Sequence, residues 1–175
     1  MTQDRGLIIV FTGDGKGKTT AALGIALRAS GHKKRTIFLQ FLKGRQRSGE
    51  QLLEGMAAAF IEVRAFGAGF LREGEDPAVH RKAANRGWQA AQEELASGDA
   101  DILVLDEISH AVNHGLLSAE MVAQEIRGRR KTLHVVLTGR DMPRELLDLA
   151  DTVTEMKEVR HAYRSGVKAI KGIDY

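Results

Sequence analysis

Gly13–Asp14–Gly15–Lys16–Gly17–Lys18–Thr19–Thr20 is the stretch of this chain best equipped for chemistry, and that chemistry is the holding of linked phosphates. It follows the apolar run Leu7–Phe11 and leads into Ala21–Leu27, so it reads as strand, glycine loop and helix. Glycines let the backbone turn tightly and point its N–H groups inward, and the helix start adds the positive end of its dipole. Lys18 can reach a phosphate as a point charge, and the Thr19 hydroxyl can sit on Mg²⁺. The usual spacing, G-x-x-x-x-G-K-[ST], puts a glycine where this chain has Thr12. Here the glycines alternate at Gly13, Gly15 and Gly17 around a second lysine, Lys16. A glycine turn that merely opens a helix accounts for the glycines, but not for Lys18–Thr19 behind an apolar strand.

Asp106 and Glu107 are the second candidate pair. They end the apolar run Ile102–Leu105, where a carboxylate can bind Mg²⁺ directly or through water and its neighbour can act as a base. The competing reading is a helix N-cap with a favourable first-turn charge. Four apolar residues leading straight into two carboxylates, with a phosphate loop elsewhere, favour the metal role.

Both groups need strands to aim them. Short apolar runs alternate with helical patterns, the sign of a mostly parallel sheet covered on both faces. The expected strands are Leu7–Phe11, Thr36–Leu42, Phe60–Val63, Ile102–Leu105, Leu133–Leu137 and Thr152–Met156. The expected helices are Lys18–Ala29, closed by Gly31, then Gln51–Ala59, Asp76–Ala96, Glu107–His114, Ser118–Arg127 and Arg144–Ala150. Ala84, Trp88, Ala91 and Leu95 recur at helical spacing, which makes Trp88 a core residue. Lys43–Gly49 and Ala65–Glu75 read as long irregular loops, and Val159–Tyr175 shows no clear period.

Ligands of an open parallel sheet bind beyond the carboxyl ends of its strands. After the first strand comes the glycine loop, and after the second Gln40 with Lys43, Gly44 and Arg45. After the fourth come Asp106 and Glu107, and after the fifth Thr138, Gly139 and Arg140. These polar groups fall on one edge and predict one composite site. Arg140 reads either as a guanidinium aimed at a phosphate or as a partner in a surface salt bridge.

The composition bounds the rest. The 175 residues, 43% hydrophobic and 28% charged, fit one globular domain over 1–175. No apolar run approaches the roughly 20 residues that span a bilayer, and Met1–Arg5 lacks the apolar segment of a signal peptide. The absence of cysteine excludes disulfides, thiolate zinc sites and thiol nucleophiles, and fits a cytoplasmic location. A net charge of +3 suits anionic ligands without implying nucleic acid. The basic runs His32–Arg35 and Arg127–Lys131 lie after helices and before strands, hence on the edge opposite the phosphates. His110 and His114 stand at the spacing of a two-histidine metal face but have no evident third ligand, and read as surface or packing residues.

With GDGKGKTTAALG, QFLKG, GAGF, ILVLDEI and the tail VVLTGRDMPRELLDLADTVTEM…RHAYRSGVKAIKGIDY, the chain resembles the ATP:corrinoid adenosyltransferase family. The likeness runs from Gly13 to Tyr175 in the family's order, and the tail is its most specific part. The resemblance implies an α/β fold of the P-loop, RecA-like kind. It implies transfer of the 5′-deoxyadenosyl group of ATP to Co(I) of a corrinoid with release of triphosphate, the nucleotide lying with its phosphates reversed. Gly13–Thr20 would hold the triphosphate, with Lys16 and Lys18 stabilising its charge, and Thr19, Asp106 and Glu107 would hold Mg²⁺ (or Mn²⁺). Lys18, Thr19 and Glu107 are the expected catalytic set, with Gln40 and Arg140 on the nucleotide side. Phe70, in GAGF, matches the aromatic that lies by the corrinoid's lower face; its rival reading is a loop residue anchored in the core. A homodimer and a transient flavoprotein reductant belong to the same expectation, with no nucleic acid and no membrane as partner.

Two departures stand out. Where relatives often carry a tryptophan two residues after that phenylalanine, this chain has Arg72, and only Met1–Arg5 precede Gly6 and the first strand. Two other functions use the same loop: a phosphoryl-transfer enzyme (an ATPase or small-molecule kinase), and a nucleotide-gated carrier without chemistry.

Overall fold

The computed structural model describes residues 5–44, 48–53, 59–71 and 74–175. Arg45, Arg72, Met1–Asp4 and much of the expected helix Gln51–Ala59 therefore lie outside the described residues. Six strands form one sheet: β1 (Ile8–Thr12), β2 (Thr36–Gln40), β3 (Ile61–Ala65), β4 (Ile102–Asp106), β5 (His134–Thr138) and β6 (Thr152–Glu155). Their order is β3-β2-β4-β5-β1-β6, and every pairing is parallel. β5 thus lies between β1, which ends at the glycine loop, and β4, which ends at Asp106.

The side-chain alternation of a strand divides the core in two. Ile8, Val10, Ile37, Leu39, Leu103, Leu105, Val135 and Leu137 face one way and pack beneath the helices α2 (Ala78–Ala96), α3 (Ile108–Asn113), α4 (Ala119–Arg127) and α5 (Arg144–Leu147). Phe38, Ile102, Val104 and Val136 face the other way, under α1 (Lys18–Ser30). Because both faces of the central strands are covered, those strands read as unbroken apolar runs. The expected helices on both faces are present, one against the second face and four against the first.

The helices follow from their residues. Ala22 and Ala26 are fully buried one turn apart, so α1 can lie close on the sheet beside the phosphate loop. The α2 stripe Ala84, Trp88, Ala91 and Leu95 is buried as its spacing predicts, with Trp88 only 3% exposed. Ser118 caps α4, its hydroxyl accepting from Met121 N at 3.2 Å.

Two elements differ from expectation. In the described part of the helix expected over Gln51–Ala59, a 3₁₀ turn spans Gly49–Leu52 and Leu53 leaves it in an extended conformation. α5 stops at Leu147 instead of Ala150, because Asp151 N–H already pairs with Ile8 O at 2.8 Å to start β6. The basic runs sit at the far edge as expected: Lys34 pairs with Asp101 at 2.7 Å, Arg35 with Glu62 at 2.9 Å, and Arg129 and Arg130 donate to backbone carbonyls.

Candidate active site

β1 ends at Thr12 and the chain turns at Gly13, whose φ of 92° favours glycine. The loop is tight because another segment presses on it. Gly15 N–H donates to Met156 O at 2.6 Å, and a Cβ at Gly13 or Gly15 would lie 2.5 or 2.7 Å from that oxygen. The segment following β6, as much as any phosphate, demands glycine here.

Lys18 opens α1 and is buried, its Nζ donating to Gly13 O at 2.6 Å and Gly15 O at 2.9 Å. Burial pulls its pKa down, with the nearby Glu107 carboxylate opposing. The ammonium thus spans the loop from inside and braces it.

Asp106, at the end of β4, is fully buried. Its Oδ1 accepts from the Thr19 hydroxyl at 2.8 Å and the Thr138 hydroxyl at 2.7 Å, and its Oδ2 accepts from the Gln40 amide at 3.4 Å. Burial raises its pKa against the pull of these bonds. Glu107 follows in a left-handed conformation, φ 57°, with its N–H donating to Thr138 Oγ1 at 3.0 Å. Its carboxyl is also pushed up, first by burial and then by Asp106. Glu107 stands at the N-cap position of α3, but its side chain makes no capping hydrogen bond there.

Gln40 is fully buried and its amide is spent on acids and amides: it donates to Glu50 at 2.8 Å and accepts from Gln51 at 2.6 Å. Its hydrogen bonds tie it to Glu50, which lines the cavity, and to Asp106. Burial works against ionisation of Glu50, yet the opposing pull, led by the hydrogen bond from Lys43 at 2.6 Å, outweighs it and holds the carboxyl at about 2.

A cavity of about 690 Å³ opens over the loop. It is lined by Asp14–Thr20, by Glu107 and Arg140, by Leu23 and Leu27 on the outer side of α1, and by the tail at Gly172–Tyr175. Of the expected residues, the cavity thus gathers Asp14, Gly15, Lys16, Gly17, Lys18, Thr19, Thr20, Glu107 and Arg140, with Asp106 and Gln40 in support. Lys16 is already engaged, its Nζ 2.9 Å from Asp174 Oδ1 and 3.0 Å from Ile173 O.

Phe70 stands apart from that cavity. Its side chain is 71% exposed, which rules out the core-anchor reading. Its ring meets His110 edge-on, centroids 5.9 Å apart at 90°, and His110 in turn lies 4.1 Å from the His114 ring. Burial, then His114 and His80, lower the His110 pKa to about 4. The His110 ring thus packs between those of Phe70 and His114, and His114 is exposed.

Sequence reasoning missed Glu50, the Met156 carbonyl and the tail wall. Glu50 sits in a loop without pattern, and a backbone oxygen leaves no residue signature. Thr138 was visible only as one polar residue at a strand end, and its bridging of both acids is a product of strand order.

Comparison with known proteins agrees with this geometry. The family described as ATP:corrinoid adenosyltransferase BtuR/CobO/CobP matches residues 4–175. A corrinoid adenosyltransferase of Escherichia coli (strain K12) is 43% identical over 173 residues, covering 98% of this chain and 87% of that protein. Corrinoid adenosyltransferase CobA of Salmonella typhimurium is 43% identical over 174 residues (99% and 87%), and a corrinoid adenosyltransferase of Pseudomonas aeruginosa is 37% identical over 172 residues (98% and 85%). A match to 43% identity along nearly the whole length of both chains places this protein in the ATP:corrinoid adenosyltransferase family.

Proposed function

We propose that this chain, acting as one phosphate-loop domain over residues 1–175, transfers the 5′-deoxyadenosyl group of ATP to Co(I) of a corrinoid and releases triphosphate. The observation that carries the reading is the phosphate loop beside Asp106 and Glu107 in a chain matched to this family over residues 4–175. The bond that forms is Co–C5′, using the electron pair of Co(I). The bond that breaks is C5′–O, whose pair leaves on the triphosphate oxygen while cobalt becomes formally Co(III). No proton moves, so no general base is needed. The chain's task is to hold the leaving group: backbone N–H groups of Gly13–Thr20 other than that of Gly15, which donates to Met156 O, and the Lys18 ammonium stabilise its growing charge, and Arg140 faces the same cavity.

Thr19, Asp106 and Glu107 offer one hydroxyl and two carboxylates, a hard oxygen set that fits Mg²⁺ or Mn²⁺. Among the described residues no cluster of three or more His, Cys, Asp or Glu side chains could hold a metal alone. A Mg²⁺ bound through one or two carboxylates and phosphate oxygens needs no such cluster. When bound, the ion would neutralise charge on the departing triphosphate. Phe70, exposed beside His110, is our candidate for the corrinoid's lower face. The reading also has the enzyme as a cytoplasmic homodimer served by a transient flavoprotein reductant, for which kinship and the absence of cysteine are the support.

The test is anaerobic: protein, ATP, Mg²⁺ and chemically reduced corrinoid are mixed and the visible spectrum followed. A light-sensitive Co–C product with stoichiometric triphosphate is expected. ADP as the product would make the chain a phosphoryl-transfer enzyme.

A further inference from the structure

The two lysines of the loop are held differently. Lys18 is buried on the loop's own carbonyls, whereas Lys16 is 43% exposed and bound to the far end of the chain. Its Nζ donates to Asp174 Oδ1 at 2.9 Å and to Ile173 O at 3.0 Å. The turn that presents Asp174 is folded on itself: Ile170 N donates to Asp174 Oδ2 at 2.7 Å, Asp174 N to Ile170 O at 2.8 Å and Gly172 N to Tyr175 O at 2.8 Å. The same turn forms a wall of the cavity over the loop.

A carboxylate on this ammonium occupies the place a phosphate oxygen would take, with the same charge-assisted geometry. It also puts a negative charge on the wall of a pocket meant for a polyanion. A pair this open to water is weak, and an incoming polyanion can displace it.

We propose that Asp174 is a tethered stand-in for phosphate: the Ile170–Tyr175 turn latches over the loop through Lys16, and an incoming polyphosphate takes Lys16 from Asp174 and releases the turn. The proposal rests on the reading that this loop holds the triphosphate of ATP. Its consequence is that the tail opposes nucleotide entry and recloses as triphosphate leaves.

Calorimetric titration of the full chain with Mg²⁺ and inorganic tripolyphosphate, then with ATP, tests it. Asp174→Asn keeps an oxygen to accept from Ile170 N and removes the charge. It should bind both ligands about two- to fivefold more tightly at low salt, the span of one partly exposed charge contact. The gain should vanish at about 1 M salt. Unchanged or weaker binding overturns the latch, and so does a gain for ATP alone, which would set Asp174 against the nucleoside. Wild-type protein that binds neither ligand overturns the phosphate reading itself, and the latch falls with it. Hydrogen exchange on the wild type needs no variant: the amides of Gly172, Ile173 and Asp174 should exchange faster with Mg²⁺–tripolyphosphate bound. Slower exchange would make the turn a lid that closes on its ligand, the opposite of a latch that opens.

Discussion

The Thr19 hydroxyl and the Asp106 carboxylate are 87 residues apart in sequence and 2.8 Å apart in space, with Thr138 donating to the same oxygen from the strand between them. The threonines divide the work. Thr138→Val leaves Glu107 N–H without its acceptor and takes a donor from a buried carboxylate, so it should lower stability in urea by about 1–3 kcal/mol. Thr19→Ala should lower it by only about 1 kcal/mol but abolish the Mg²⁺ dependence of ATP binding by calorimetry.

Lys18 braces the loop from inside and is placed to meet the phosphates, so its loss should register twice. Lys18→Ala should cut adenosylation by about 10²–10³-fold, as removal of one donor to a developing anion does elsewhere. Corrinoid binding, read from the visible spectrum, should stay within about twofold of wild type. Unaltered turnover would remove Lys18 from the phosphate site.

Glu107 titrates above the ordinary carboxylate value of 4.5 because it is buried beside Asp106. Between 4.5 and that raised value the folded chain binds the proton and the unfolded chain does not, so stability rises as pH falls through the window. Above the window the buried charge opposes folding. Glu107→Gln should therefore melt higher than wild type at neutral pH without ligand, by about 2–4 °C, while losing Mg²⁺-dependent gain in melting temperature. In wild type that gain should shrink as the pH is lowered and protons compete with the ion.

His110 works in the opposite sense. Its pKa falls from 6.5 unfolded to about 4 folded, so the unfolded chain takes up the proton first. Its contribution is intact above 6.5 and is lost as the pH falls toward about 4. Denaturant midpoints of His110→Gln, followed by Trp88 fluorescence, should vary less over that window than those of wild type.

Phe70 and Trp88 make a matched pair of aromatics, one 71% exposed and one 3%. Trp88→Ala should cost about 3–5 kcal/mol of stability. Phe70→Ala should leave stability within about 0.5 kcal/mol, yet slow adenosylation when the corrinoid must be reduced in the site. Normal turnover in Phe70→Ala would remove this ring from the reaction.

Much of this was legible in the residues. The four inner strands fall where apolar runs stand, since strands covered on both faces need no polar punctuation, whereas the edge strand β6, TVTE, is exposed along its length. The glycine loop and the Asp106–Glu107 pair carry their chemistry in side-chain type and spacing. What stayed hidden depends on encounters that spacing cannot encode. The contacts of Gln40 with Glu50 and Gln51 depend on how a loop without pattern folds back over β2. The pairing of Lys16 with Asp174, 158 residues away, is likewise invisible in the sequence. The helix expected at Gln51 shrinks to one 3₁₀ turn in the described residues, where Gln51 reaches back to Gln40.

The strand order has a consequence for a chain emerging from a ribosome. β1 is made first, but its neighbours on either side are β5 and β6, the last two strands to appear. Until residue 138 is out, the nascent sheet is the β3-β2-β4 half with β1 waiting alone, a pairing of high sequence separation that makes assembly slow. The nucleotide pocket is consequently a product of late synthesis, and ATP in the cell can act as no template for the first two-thirds of the polypeptide.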